Sequence, residues 1–92
     1  MSYYLKDPGS SVDYAIDWVG YLDGQTVASS EWRVIPEEDG GVAVGEASFD
    51  LSRTAARISG GVGGHVYSVS NKVTFSDGSS DERSICLRVE ER

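Results

Sequence analysis

At 92 residues, with Cys86 its single cysteine, the chain has the length of one domain, residues 1–92, and cannot form an internal disulfide. Fifteen acidic residues against eight basic ones give a formal charge of −7, which argues against nucleic acid or anionic lipid as a partner, because phosphate affinity is supplied chiefly by Lys and Arg. No apolar run approaches the ~20 residues that span a bilayer, and MSYYLKDPGS lacks the basic and apolar regions of a secretory signal, so synthesis in a cytoplasm is expected.

The apolar period is two almost throughout. In VDYAIDW the large side chains Val12, Tyr14, Ile16 and Trp18 share one parity and Asp13 and Asp17 take the other, which predicts a strand with one dry and one wet face. LDG at 22–24 supplies a turn. Residues 26–35 predict a second strand, with Ala28, Trp32 and Val34 inside and Glu31 and Arg33 outside, ended by Pro36 because proline donates nothing to a ladder. EEDGGVAVGE reads as an acidic loop with a short edge strand at 42–44. ASFDL and TAARIS predict two more short strands, with Phe49, Leu51, Ala56 and Ile58 pointing inward.

Glycines at 60, 61, 63 and 64 then lead into VYSVSNKVTF, where Tyr67, Val69, Val73 and Phe75 share a face. SDGSSDE turns the chain, and Ile85, Leu87 and Val89 return on one parity. No window carries a helical stripe. Six to seven short strands predict an all-β fold, an antiparallel immunoglobulin-like or fibronectin-III-like β-sandwich. Such sandwiches place a tyrosine near the start of the penultimate strand, its hydroxyl bonded to the chain just upstream. Tyr67 behind its glycines fits that place, so folding accounts for the glycines better than chemistry does.

Chemically capable residues are few. His65 is the one histidine, two residues before Tyr67 and without a G-x-S-x-G elbow, so a rim position is expected rather than a catalytic base. Cys86 lies on the parity opposite Ile85 and Leu87, a face either wet or only lightly covered. The clusters Glu37, Glu38, Asp39 and Asp77, Asp81, Glu82 lack the spacing of a calcium loop, and turn solvation is the plainer reading. Tyr14, Trp18, Trp32, Tyr67 and Phe75 all fall on inner parities, which leaves Tyr3, Tyr4 and Tyr21 free for contact with a sugar or a neighbouring protein. Arg53 and Arg57 share one strand face, solvated or ion-paired, and join the three tyrosines as candidate interface residues.

Several stretches taken together, KDP at 6–8, DYAIDW, LDGQTVASSEWRV, ISGGVGGHVYSVSNKVTF, DERS and VEER, resemble the small immunoglobulin-like virion proteins of tailed bacteriophages of the tail or fibre-adaptor type. Residues 37–48 are longer and more acidic than is usual there, Tyr21 stands where tryptophan is common, and Lys72 where arginine is. The resemblance implies a non-enzymatic structural protein of the virion, present in several copies and without a cofactor. Its partners would be other virion proteins and copies of itself. Capsid decoration and carbohydrate binding that aids host attachment are the competing readings.

Overall fold

The computed structural model describes residues 3–91, with Tyr3 described in its backbone alone. Seven strands follow in order: β1 (Tyr3–Lys6), β2 (Ser11–Asp17), β3 (Val27–Ile35), β4 (Val42–Phe49), β5 (Arg53–Gly60), β6 (Val66–Phe75) and β7 (Ser80–Val89). One sheet has the order β1-β7-β6-β3 and the other β2-β5-β4, the two packed as a sandwich. All pairings are antiparallel except β1 with β7, which is parallel. A 3-10 turn, Val19–Tyr21, follows β2. The long axis measures 43 Å.

The period-two residues meet between the sheets. Ile58, Tyr67, Val69, Ile85, Leu87 and Val89 form one cluster with Val34 and Val42. Ile16, Trp18, Val27, Val73 and Phe75 form a second, and the half-buried Tyr14 and Trp32 pack against both. Burying a side chain of this size contributes about 1.5–3 kcal/mol, so a one-residue slip of any central strand would expose a whole row and cost far more than a single contact.

One polar chain crosses this interior. The Trp18 indole N–H donates to Thr54 Oγ1 (3.0 Å), the Thr54 hydroxyl donates to Asn71 Oδ1 (2.6 Å), and Asn71 Nδ2 donates to Ser30 Oγ (2.8 Å) and the Glu31 carbonyl (3.0 Å). Trp18, Thr54 and Asn71 are fully buried, so these bonds join the two sheets in a place where water offers no substitute.

The glycine-rich approach to β6 behaves as its sequence implies. The Val62 N–H donates to Tyr67 Oη at 3.0 Å, the tyrosine corner. Gly60 sits at φ +74°, where a Cβ would lie 2.7 Å from the Gly41 carbonyl oxygen, so no side chain fits.

The structure departs from the sequence expectation at five places. Residues 42–49 form one strand, not an edge fragment followed by a separate strand, because a bulge between Gly45 and Ser48, with Glu46 at φ +48°, keeps the ladder to β5 continuous. Phe49 and Leu51, expected inside, are exposed at 48% and 68%. Phe49 ends an edge strand, and Leu51 rides a turn in which Asp50 Oδ1 accepts the Ser52 and Arg53 N–H groups. In β3 a register shift between Val27 and Ser29 turns Val27 inward and leaves Ala28 exposed. Val12 keeps its inner parity but is 40% exposed, since β2 is a sheet edge. Finally, residues 3–6, which precede the first strand expected from the sequence, form β1 itself.

Candidate functional site

The two ends of the sandwich are fastened differently. At one end the segment after β2 and the start of β3 are bonded to the turn between β4 and β5, through Trp18 N–H to the Ser52 carbonyl (2.8 Å) and Val27 N–H to the Leu51 carbonyl (2.9 Å). Ser76, in the turn between β6 and β7, donates its N–H to Thr26 O at 2.8 Å. The exposed Val19, Tyr21 and Leu51 all belong to this end.

At the other end Lys6 is buried, and its ammonium donates to the carbonyls of Asp7 (2.9 Å), Ser10 (2.6 Å) and Gly60 (2.6 Å). Burial lowers its pKa, against the raising effect of Asp7. Nearby, Glu38 accepts hydrogen bonds from the Tyr67 hydroxyl and from His65 Nδ1 at 3.0 Å, and these two bonds hold its carboxyl below the ordinary range. Tyr67 is shifted upward, first by burial and then by its bond to Glu38. His65 therefore clips the acidic loop to the tyrosine corner. Among the described residues no group of three or more His, Cys, Asp or Glu converges as a metal site.

The long edge beside β1 and β2 is more open than either end. β1 accompanies β7 only over Cys86–Val89, whereas β6 accompanies it over residues 80–88. Along 80–85, among the described residues, β7 thus has a ladder partner on one side only. A groove of about 470 Å³ lies beside this free edge. It is lined by Tyr4, Tyr14, Arg83 and Ile85 from the inner side and by Ser84 and Cys86 from the outer side of β7. Lining from both faces is what the space next to a sheet edge has, and what an enclosed pocket lacks. A smaller, mostly apolar groove of about 210 Å³ continues between β1 and β2 past Leu5 and Val12.

Aromatic rings floor this seam. Tyr4 and Tyr14 lie 6.4 Å apart between centroids, Tyr14 meets Trp32 edge-on at 6.0 Å, and Tyr21 meets Trp18 edge-on at 5.7 Å. The Arg83 guanidinium stands 5.6 Å from the Tyr21 ring centre and 6.0 Å from that of Trp18. Tyr14 has a raised pKa, first from burial and then from Tyr4.

The sequence-derived candidates divide accordingly. Tyr4 and Tyr21, exposed at 49% and 52%, flank this one edge through Arg83. Tyr3 pairs with Cys86 through its backbone, and its side chain lies outside the described residues. Arg53 and Arg57 lie on the outer face of the other sheet, where Arg57 bridges Asp13 (3.0 Å) and Glu46 (3.2 Å) on the strands to either side. Sequence reasoning missed Arg83, Leu5 and the free edge of β7. A signal for Arg83 existed: it shares the inner parity of Ile85, Leu87 and Val89, an unusual place for a cation.

A family model described as "Podophage GP4 fiber-tail adaptor protein gp77" matches residues 6–88. Among solved structures, the "Solution structure of the PKD domain from KIAA 1837 protein" superposes with a TM-score of 0.58 at 19% identity, covering 87% of this chain and 72% of that one, a likeness of fold alone. No curated protein matches the chain. The fold agrees with an immunoglobulin-like domain, the family match runs from the last residue of β1 almost to the end of β7, and the chain belongs to the podophage GP4 fiber-tail adaptor gp77 family.

Proposed function

We propose that the protein is a structural component of a podophage virion that joins fibre to tail by protein–protein association, without catalysing a reaction. The family match over residues 6–88 carries this reading. The geometry supports it in kind. The side chains most capable of chemistry are engaged in holding the fold: His65 with Glu38, and Lys6 with three carbonyls. What the surface offers instead is a rigid two-sheet body with an open edge and an exposed apolar end, the features by which small modules dock on neighbours. Its partners are other virion proteins, and the chain works in several copies per particle, each contributing a modest contact.

Phage lacking this protein test the reading. Such particles are expected to carry tails without fibres, and purified protein added back should restore fibre content in proportion to the amount bound. Particles that keep their full fibre complement without it would refute the adaptor role.

A further inference from the structure

We propose that the free edge of β7, residues 80–85, with the aromatic seam beside it, is an acceptor site for an extended strand of another protein, which continues the line that β1 begins.

Three observations converge. First, β1 ends its pairing where Tyr3 meets Cys86, and β7 runs on for six more residues with its outward main-chain groups facing no ladder partner among the described residues. Unpaired N–H and C=O groups in a row select an extended chain as their partner. Second, the space of about 470 Å³ wraps this edge and receives side chains from both faces of β7, as the seat of an added strand must. Third, the in-chain precedent is at hand, because β1 is itself a short strand laid parallel on the same edge, with Tyr4 turned toward Tyr14.

The side chains state what kind of strand fits. An inner-facing residue opposite Ile85 enters between Tyr4 and Tyr14, so it is apolar. Two positions along, the inner-facing residue meets Arg83, whose guanidinium faces two rings and, among the described residues, forms no ion pair with a carboxylate. An acidic residue belongs there. The occupant therefore carries a carboxylate and an apolar side chain two residues apart.

Charge also argues against a second copy of this chain. Two-fold pairing of the edge with itself, centred on Asp81 or Arg83, sets that charge opposite its own copy, which is destabilising. Centred on Glu82 it pairs Asp81 with Arg83 but opposes Glu82 to itself and offers Ser79, not an apolar residue, opposite Ile85. In the adaptor reading, on which the choice of partner rests, the donor is another virion protein.

The test places the photo-crosslinker p-benzoylphenylalanine at Ser84, or at Ala47 on β4 as control, in protein assembled into particles. Ser84 is expected to crosslink to one segment of another virion protein bearing the carboxylate and apolar pair, and Ala47 not to reach that segment. Arg83→Glu should cut the Ser84 yield at least about fivefold while leaving the urea midpoint of the free protein close to unchanged. In the free protein, outward amides of residues 80–85 should exchange with deuterium within seconds. The proposal is overturned by crosslinks confined to this chain or its copies, by none in particles that contain the protein, by an unaffected Arg83→Glu variant, or by protected edge amides in the free protein. Absence of the protein from purified particles refutes the adaptor reading, and this choice of partner with it.

Discussion

Thr54→Val exposes the logic of the interior. The two side chains have nearly the same shape, and on burial alone valine should be at least as good, by about 0.8 kcal/mol for the added methyl. But Thr54 Oγ1 accepts from the Trp18 indole at 3.0 Å and donates to Asn71 at 2.6 Å, with all three residues fully buried. Valine leaves an indole N–H and an amide oxygen unpaired in the core, each costing about 1–3 kcal/mol. The net expectation is a loss of about 2–4 kcal/mol. For a domain of this size that lowers Tm by roughly 8–32 °C, since 1 kcal/mol shifts it by about 4–8 °C. Thr54→Ser keeps the hydroxyl and loses one methyl, about 1 kcal/mol. Urea unfolding followed by tryptophan fluorescence, with m unchanged, measures both. A valine variant as stable as the parent, or more stable than the serine variant, would refute the claim that the polar chain joins the sheets.

The same measurement checks three further expectations. Gly60→Ala should destabilise severely, since φ is +74° and the Gly41 carbonyl stands 2.7 Å from the new Cβ, whereas Gly64→Ala, at φ +86° with open space around it, should cost only about 1 kcal/mol. Tyr67→Phe should cost about 1–3 kcal/mol, because the Val62 N–H and the Glu38 carboxylate both lose the hydroxyl. Acid should unfold the protein in a graded way. Glu38, Asp50 and Asp77 have carboxyls held below their ordinary values of 4.5, 3.8 and 3.8 by hydrogen bonds, so the unfolded chain binds protons first. The stability they contribute is present above those values and lost as pH falls through the lower folded ones. Glu38→Gln should flatten that decline in a pH series of urea midpoints, and an unchanged slope would contradict the assignment.

How far the sequence reveals the molecule depends on which force decides each position. Ile16, Trp18, Tyr67, Val69 and Leu87 could be placed from parity, because a segment with one face against the core tolerates no slip. Ala28, Phe49 and Leu51 could not. A bulge in β3, the end of an edge strand and an Asp50-built turn decide these positions, and nothing in the apolar pattern announces any of them. β1 escaped notice because its inner residues are Tyr4 and Lys6. The buried lysine is satisfied by carbonyls from the chain after β1 and from Gly60, a contact 54 residues away that no local window contains. Of the candidate interface, Tyr4 and Tyr21 were legible as leftover aromatics. The edge that relates them is a property of where β1 stops against β7, which is tertiary information.

An intact-particle map by cryo-electron microscopy tests the central claim most directly. The account predicts density for this seven-strand sandwich at the junction of tail and fibre, with an additional strand from another protein laid along residues 80–85 of β7. Density on the capsid lattice, or a sandwich at the junction with that edge facing solvent, would contradict it.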